Sequence, residues 1–100
     1  MASIFMVRDN LDNIPQYDLP VGCNIHTLRP GEEKLWEWVC EGAFANDFGS
    51  DFKFDFDRMM RSDKCFAPER VFLGQQYAQV TATASAWDEP KFGAHTGELL

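Results

Sequence analysis

Hydrophobic and polar positions change period several times along the chain, and each period names an element. From residue 22 to 29, Gly-Cys-Asn-Ile-His-Thr-Leu-Arg alternates. Cys23, Ile25 and the polar Thr27 fall on one side, with Asn24, His26 and Leu28 on the other. A period of two is that of a strand, and Pro30-Gly31 ends it. From about residue 31 to 45 the period lengthens to that of a helix. Glu32 and Glu33 put negative charge in a first turn, where the helix dipole favours it. Leu35, Val39 and Ala43 then recur at every fourth position, beside a second row of Trp36, Cys40 and Phe44. Together they predict a broad apolar stripe, with Lys34, Glu37 and Glu41 facing out. Trp38 lies off that stripe.

Residues 51–62 satisfy two templates. Phe52, Phe54 and Phe56 alternate with charges, as in a strand, while Phe52, Phe56, Met59 and Met60 fall at helical spacing. Ser50 suits an N-cap, Asp51 a first turn, and Arg58 and Arg61 a last turn, so a helix is preferred. Phe54 then lies off its main face. After Pro68, Arg70 to Gly74 reads as a strand, Gln75-Gln76 as a turn, and Tyr77 to Trp87 as a second strand. Ala78, Val80, Ala82, Ala84 and Ala86 take one face of it; Gln79, Thr81, Thr83, Ser85 and Trp87 take the other. The small alanine face is expected to receive a helix at close range. Asp88 to Thr96 is a loop, and Glu98-Leu99-Leu100 opens one more strand. Residues 1–20, with Pro15, Pro20 and Asp/Asn clusters, read as an extended arm holding at most a short strand at Ser3 to Val7. Residues 21–100 make one domain of the α/β (α+β) class: strand, helix, helix, then an antiparallel meander.

Composition narrows the function classes. The chain has 100 residues, 45% hydrophobic and 14% aromatic, enough for a core and too apolar for disorder. Its net charge of −7 argues against holding nucleic acid or anionic lipid, both of which need clustered Lys and Arg. The run Ile4-Phe5-Met6-Val7 is too short for a signal-peptide core or for a membrane span of about 20 residues. A cytoplasmic protein without nucleic-acid or membrane partners is expected. Cys23, Cys40 and Cys65 are odd in number and widely spaced, which favours reduced, mostly buried thiols over disulfides or zinc ligands. His26 and His95 are isolated and read as ordinary histidines. Asp51, Asp55, Asp57 and Asp63 lack the glycine and terminal glutamate of an EF-hand loop and read as a solvated face. Glu41, Asp47 and Glu98 could each attract a cationic amine, but no spacing defines a catalytic pair, and no metal site is expected.

A series of short segments resembles the N-terminal half of a GNAT-type N-acetyltransferase. Asn10-Leu11-Asp12-Asn13-Ile14-Pro15 and Tyr17-Asp18-Leu19-Pro20 are similar to a lead-in of one bacterial branch. Leu28-Arg29-Pro30-Gly31-Glu32-Glu33, followed by Leu35-Trp36, resembles the first strand and helix. Phe66-Ala67-Pro68-Glu69-Arg70-Val71-Phe72 resembles the approach to the second strand, Thr83-Ala84-Ser85-Ala86-Trp87 the third, and Thr96-Gly97-Glu98-Leu99 the start of the fourth. The departures are the missing glycine at Gln75-Gln76-Tyr77, Ala82 at a place commonly glycine, and the absence of an Arg/Gln-x-x-Gly-x-Gly/Ala phosphate loop. In the family that loop and a helix N-terminus hold the pyrophosphate of acetyl-CoA.

The resemblance implies a partial GNAT-like fold that carries the acceptor side without the donor site. Trp36, Phe44, Phe48, Phe52, Phe56 and Trp87 would line an acceptor pocket, with Glu98 near the reaction centre. No cofactor is expected for the chain alone, and acetyl-CoA only if a C-terminal half is supplied. A meander stopping at Leu100 would leave an open sheet edge, which invites pairing with a second copy. A homodimer or larger oligomer is therefore expected, with Trp38, Phe54, Leu99 and Leu100 as interface candidates. Three functions stand side by side: an oligomeric or partner-binding module that is not catalytic alone, an acetyltransferase completed by another half, and a small-ligand binder using the aromatic pocket.

Overall fold

The computed structural model describes residues 6–49, 51–89, 91, 93 and 96–99. Four antiparallel strands form one sheet in the order β1-β2-β3-β4: β1 Cys23–Thr27, β2 Val71–Gln76, β3 Gln79–Asp88 and β4 Gly97–Leu99. Between β1 and β2 come the helix α1, Glu33–Ala43, a single π-helical turn at Asp57–Arg61 and a 3-10 turn at Pro68–Arg70. The class is mixed α+β, with the helical segments placed between the first two strands. Residues 6–20 hold no strand or helix and are exposed; of the expected first strand, Ser3 to Phe5 lie outside the described residues. Ser50, the expected N-cap, His95 and Leu100 lie outside them too. Among the described residues, no helix is long and apolar enough to cross a membrane.

The β2–β3 hairpin turns at Tyr77-Ala78, two residues later than expected, because Gln75 and Gln76 still pair with β3. Tyr77 takes a left-handed backbone, φ 53°, and its N–H donates to the Gly22 carbonyl at 2.6 Å. Gly22 is itself at φ 85°, and a Cβ there would lie 2.6 Å from the Tyr77 ring. Conformation and space both require glycine at that position.

Register decides the faces of the sheet. Gly74 pairs with Ala82 but Gln75 pairs with Val80, so Thr81 is an extra residue in β3. Such a bulge reverses the alternation beyond it. Val80 lies on the covered face, and past the bulge so do Thr83 and Ser85, opposite the fully buried Leu73 and Val71. The alanines 82, 84 and 86 therefore lie on the uncovered face, the reverse of the unbroken alternation in the sequence. They share it with Ile25, Phe72, Gly74 and Leu99.

The core consists of Leu28, Trp36, Cys40, Phe56, Met60, Val71, Leu73 and Val80. On α1 the buried stripe narrows to Trp36 and Cys40 with Val39 half-buried; Leu35, Ala43 and Phe44 of the expected stripe are exposed. Glu37 turns inward instead of outward, its carboxylate accepting the Phe56 N–H at 2.8 Å and meeting Lys34 Nζ at 3.2 Å. That contact explains why the second helical segment is so much shorter than 51–62. Phe56 is 1% exposed and packs edge-on against Trp36 and Phe66. Its N–H is satisfied by α1, so the helical turn starts there. Arg61 closes that turn, pairing with Asp57 at 2.8 Å and lying over the Phe56 and Phe66 rings.

Candidate functional site

The aromatic residues singled out in the sequence separate into two places. Phe44, Phe48, Phe52 and Phe54 form a chain of ring contacts 4.8–5.7 Å apart at the C-terminal end of α1. Trp36 joins it through Phe54 at 6.0 Å but is otherwise buried in the core with Phe56. Trp87 and Glu98 sit opposite each other on β3 and β4. Of the interface candidates, Trp38 is 54% exposed and Leu99 79% exposed, while Phe54 is half-buried among its ring neighbours.

Two grooves flank α1. One, of about 480 Å³, is lined by Trp38, Val39, Glu41, Gly42 and Thr81. The other, of about 440 Å³, has Phe54 and Phe56 with Glu33, Glu37, Asp55, Asp57, Lys34 and Lys53 around them. Their electrostatics differ. In the second groove Lys34 answers Glu37, and Arg61 answers both Glu33 and Asp57. In the first, Glu41 makes no ion pair or hydrogen bond among the described residues. Glu41 and Trp38 lie three residues apart on α1, hence on neighbouring positions of one flank.

Thr81 connects this groove to the sheet. β3 is ten residues long, but β4 pairs only with Ala86–Asp88. Among the described residues, the outer edge of β3 from Gln79 to Ala84 has no strand beside it. Sequence reasoning placed Trp38 off the buried stripe of α1, and it is exposed. It missed Val39, Gly42 and Thr81 as groove residues; Thr81 is the extra residue of β3, and nothing in the Val-Thr-Ala-Thr run marks a bulge.

The nearest approach to an acid–base pair is His26 with Glu32. His26 Nε2 lies 3.0 Å from Glu32 Oε2, and Glu32 also accepts the Arg29 N–H at 2.8 Å. Burial pushes the Glu32 carboxyl up, but the Arg29 N–H and the His26 ring together hold it below its ordinary value. His26 Nδ1 is buried without a partner. The ring therefore faces the sheet interior beside Leu73, not a groove, and clasps β1 to the start of α1. Among the described residues, no group of three His, Cys, Asp or Glu side chains is placed to hold a metal ion. A scan against protein-family models finds no match, and searches of curated proteins and of solved structures find none either.

Proposed function

We propose that the chain is a GNAT-like domain that works by association, as an oligomeric or partner-binding module that is not catalytic alone. The observation that carries this reading is the uncovered face of the sheet, where Ile25, Phe72 and Leu99 stand exposed beside Ala82, Ala84 and Ala86. Apolar side chains left in water on one contiguous face mark a contact surface. The element order and the antiparallel β1-β2-β3-β4 sheet support the GNAT-like part of the reading. Two features speak for association over catalysis. His26, in the only His–carboxylate pair among the described residues, buries its free nitrogen. The uncovered sheet face is apolar, with Ile25 56% and Leu99 79% exposed.

Sedimentation of the chain raised from micromolar to millimolar concentration tests the reading, beside the variants Ile25→Asp and Phe72→Asp on the uncovered face. Association at high concentration that either variant weakens is the expected result. A chain that stays monomeric throughout, or association that both variants leave unchanged, would overturn it. So would acetylation of a simple amine by the chain alone when acetyl-CoA is supplied.

A further inference from the structure

We infer that the exposed phenylalanine cluster at the C-terminal end of α1 docks an arginine-bearing segment of a partner protein. The inference goes beyond the association proposed for the sheet, because the cluster lies within residues 44–54 and shares no residue with the uncovered face. Its basis is a contrast between two aromatic sites, one answered by a cation of the chain and one not.

The answered site is the turn at Asp57–Arg61. The Arg61 guanidinium lies 5.5 Å from the Phe56 centroid and 5.2 Å from that of Phe66, and it pairs with Asp57 at 2.8 Å and Glu33 at 3.7 Å. A cation over ring faces with carboxylates beside it joins cation–π attraction to charge pairing.

The unanswered site is the cluster. Phe44, Phe48, Phe52 and Phe54 touch with centroids 4.8–6.0 Å apart, yet Phe44, Phe48 and Phe52 remain 36–46% exposed. Asp47 and Asp51 directly precede Phe48 and Phe52. Among the described residues neither carboxylate meets a cation, and no Lys or Arg lies over these four rings. Residues 44–55 hold three aspartates against Lys53 alone. The cluster therefore has the rings and the carboxylates of the Arg61 site and lacks its guanidinium.

Shape and charge select the occupant. Neither groove beside α1 includes Phe44, Phe48 or Phe52. Small molecules bind in concavities, whereas an exposed ring surface suits a protein contact, where aromatic residues and arginine are enriched. A second copy in two-fold contact here would set the same aspartates against each other, and like charge suppresses pairing. Arginine suits the site better than lysine, because its weakly hydrated planar head stacks on a ring while bonding a carboxylate.

The test uses three peptides: alternating leucine and arginine, leucine and citrulline (the same shape without charge), and leucine and glutamate. Binding is followed by titration, and its place by the ring signals of Phe44, Phe48 and Phe52 in nuclear magnetic resonance spectra. The arginine peptide is expected to shift those signals and to bind about tenfold more tightly than the citrulline peptide, with glutamate weakest. The preference should shrink as salt is raised. Asp47→Asn combined with Asp51→Asn should remove most of the preference, and Phe48→Ser most of the binding; all three positions are exposed. Ile25→Asp and Phe72→Asp should leave arginine-peptide binding unchanged, so the cluster and the sheet face are tested apart. Equal binding of the arginine and citrulline peptides would overturn the arginine assignment. Ring signals unmoved by all three peptides would overturn the docking surface itself. Self-association that shifts the ring signals and is weakened by Phe48→Ser would overturn the basic partner in favour of a second copy.

Discussion

Leu73 and Phe72 are neighbours on β2, yet Leu73 is fully buried and Phe72 is 38% exposed. The same division runs across the sheet. On the covered face, Val71 and Leu73 stand opposite Ser85 and Thr83; on the bare face, Phe72 and Gly74 stand opposite Ala84 and Ala82. The covered face thus holds two hydroxyls and the bare face holds almost none. Coverage by α1 and the segment after it sets what is core, and polarity follows only where it must. The Thr83 hydroxyl is tolerated because it finds an acceptor, donating to the Phe72 carbonyl at 3.0 Å. An apolar face left bare is a surface suited to contact, which is why the comparison bears on function.

The largest expected effect separates the two faces at adjacent positions. Leu73→Ala should cost about 2–5 kcal/mol of stability, because it opens a cavity under the helical layer. Phe72→Ala should cost about 1 kcal/mol, because much of its ring is already in water. Denaturant unfolding of the two variants measures both. If Phe72→Ala were the more damaging, the assignment of the two faces of β2 would be wrong.

Legibility in the sequence followed the strength of local signals. The first strand and α1 were legible because each has a single period and a clear stop at Pro30-Gly31. The order of elements was legible for the same reason. The 51–62 segment was not, because its phenylalanines suit two periods and tertiary contacts decide between them. Phe54 goes to the Phe44–Phe48–Phe52 rings, while Phe56 goes to Trp36 and has its N–H taken by Glu37. The faces of β3 were misread because a bulge costs one residue of register and leaves no mark in composition. The candidate site inherited both effects. Trp38 was legible as an aromatic off the stripe, whereas Thr81, which lines the same groove, is the bulged residue that nothing in the sequence marks. The expected acceptor set divided because Trp87 and Glu98 belong to the β3–β4 pair, away from the ring chain.

A smaller effect sharpens the covered face through charge. His26 lies on that face beside Leu73 and holds Glu32 at the start of α1. Since the folded-state Glu32 carboxyl lies below its ordinary value of 4.5, the native chain binds fewer protons there than the unfolded chain does in acid. Its contribution to stability is fully present above that ordinary value and is lost as pH falls through the lowered folded value. Glu32→Gln should therefore destabilise the chain at neutral pH, and the gap from the parent should close in acid. Unfolding curves at neutral pH and below pH 4.5 give the two gaps. A gap that stays constant with pH would show that the clasp acts by packing and not by charge.

The smallest effect leaves stability untouched and reads the two faces through their thiols. Cys40 is buried on α1, and burial, with the Glu41 charge nearby, pushes its thiol up to about 11. Cys23 shares the bare side with Ile25 and is half-buried, as is Cys65 in the loop before β2. Only the thiolate attacks an alkylating reagent, so burial slows Cys40 twice, by blocking approach and by keeping the proton on sulfur. At mildly alkaline pH, Cys23 and Cys65 should be alkylated first, and Cys40 only as the chain unfolds. Mass spectrometry of the labelled peptides gives the order. The rate at Cys40 should rise with denaturant in step with the unfolding transition, because its protection comes from the same layer that buries Leu73. Cys40 labelling as fast as Cys23 in the absence of denaturant would mean that α1 lifts from the sheet readily. The covered and bare faces would then differ in the static structure but not in solution.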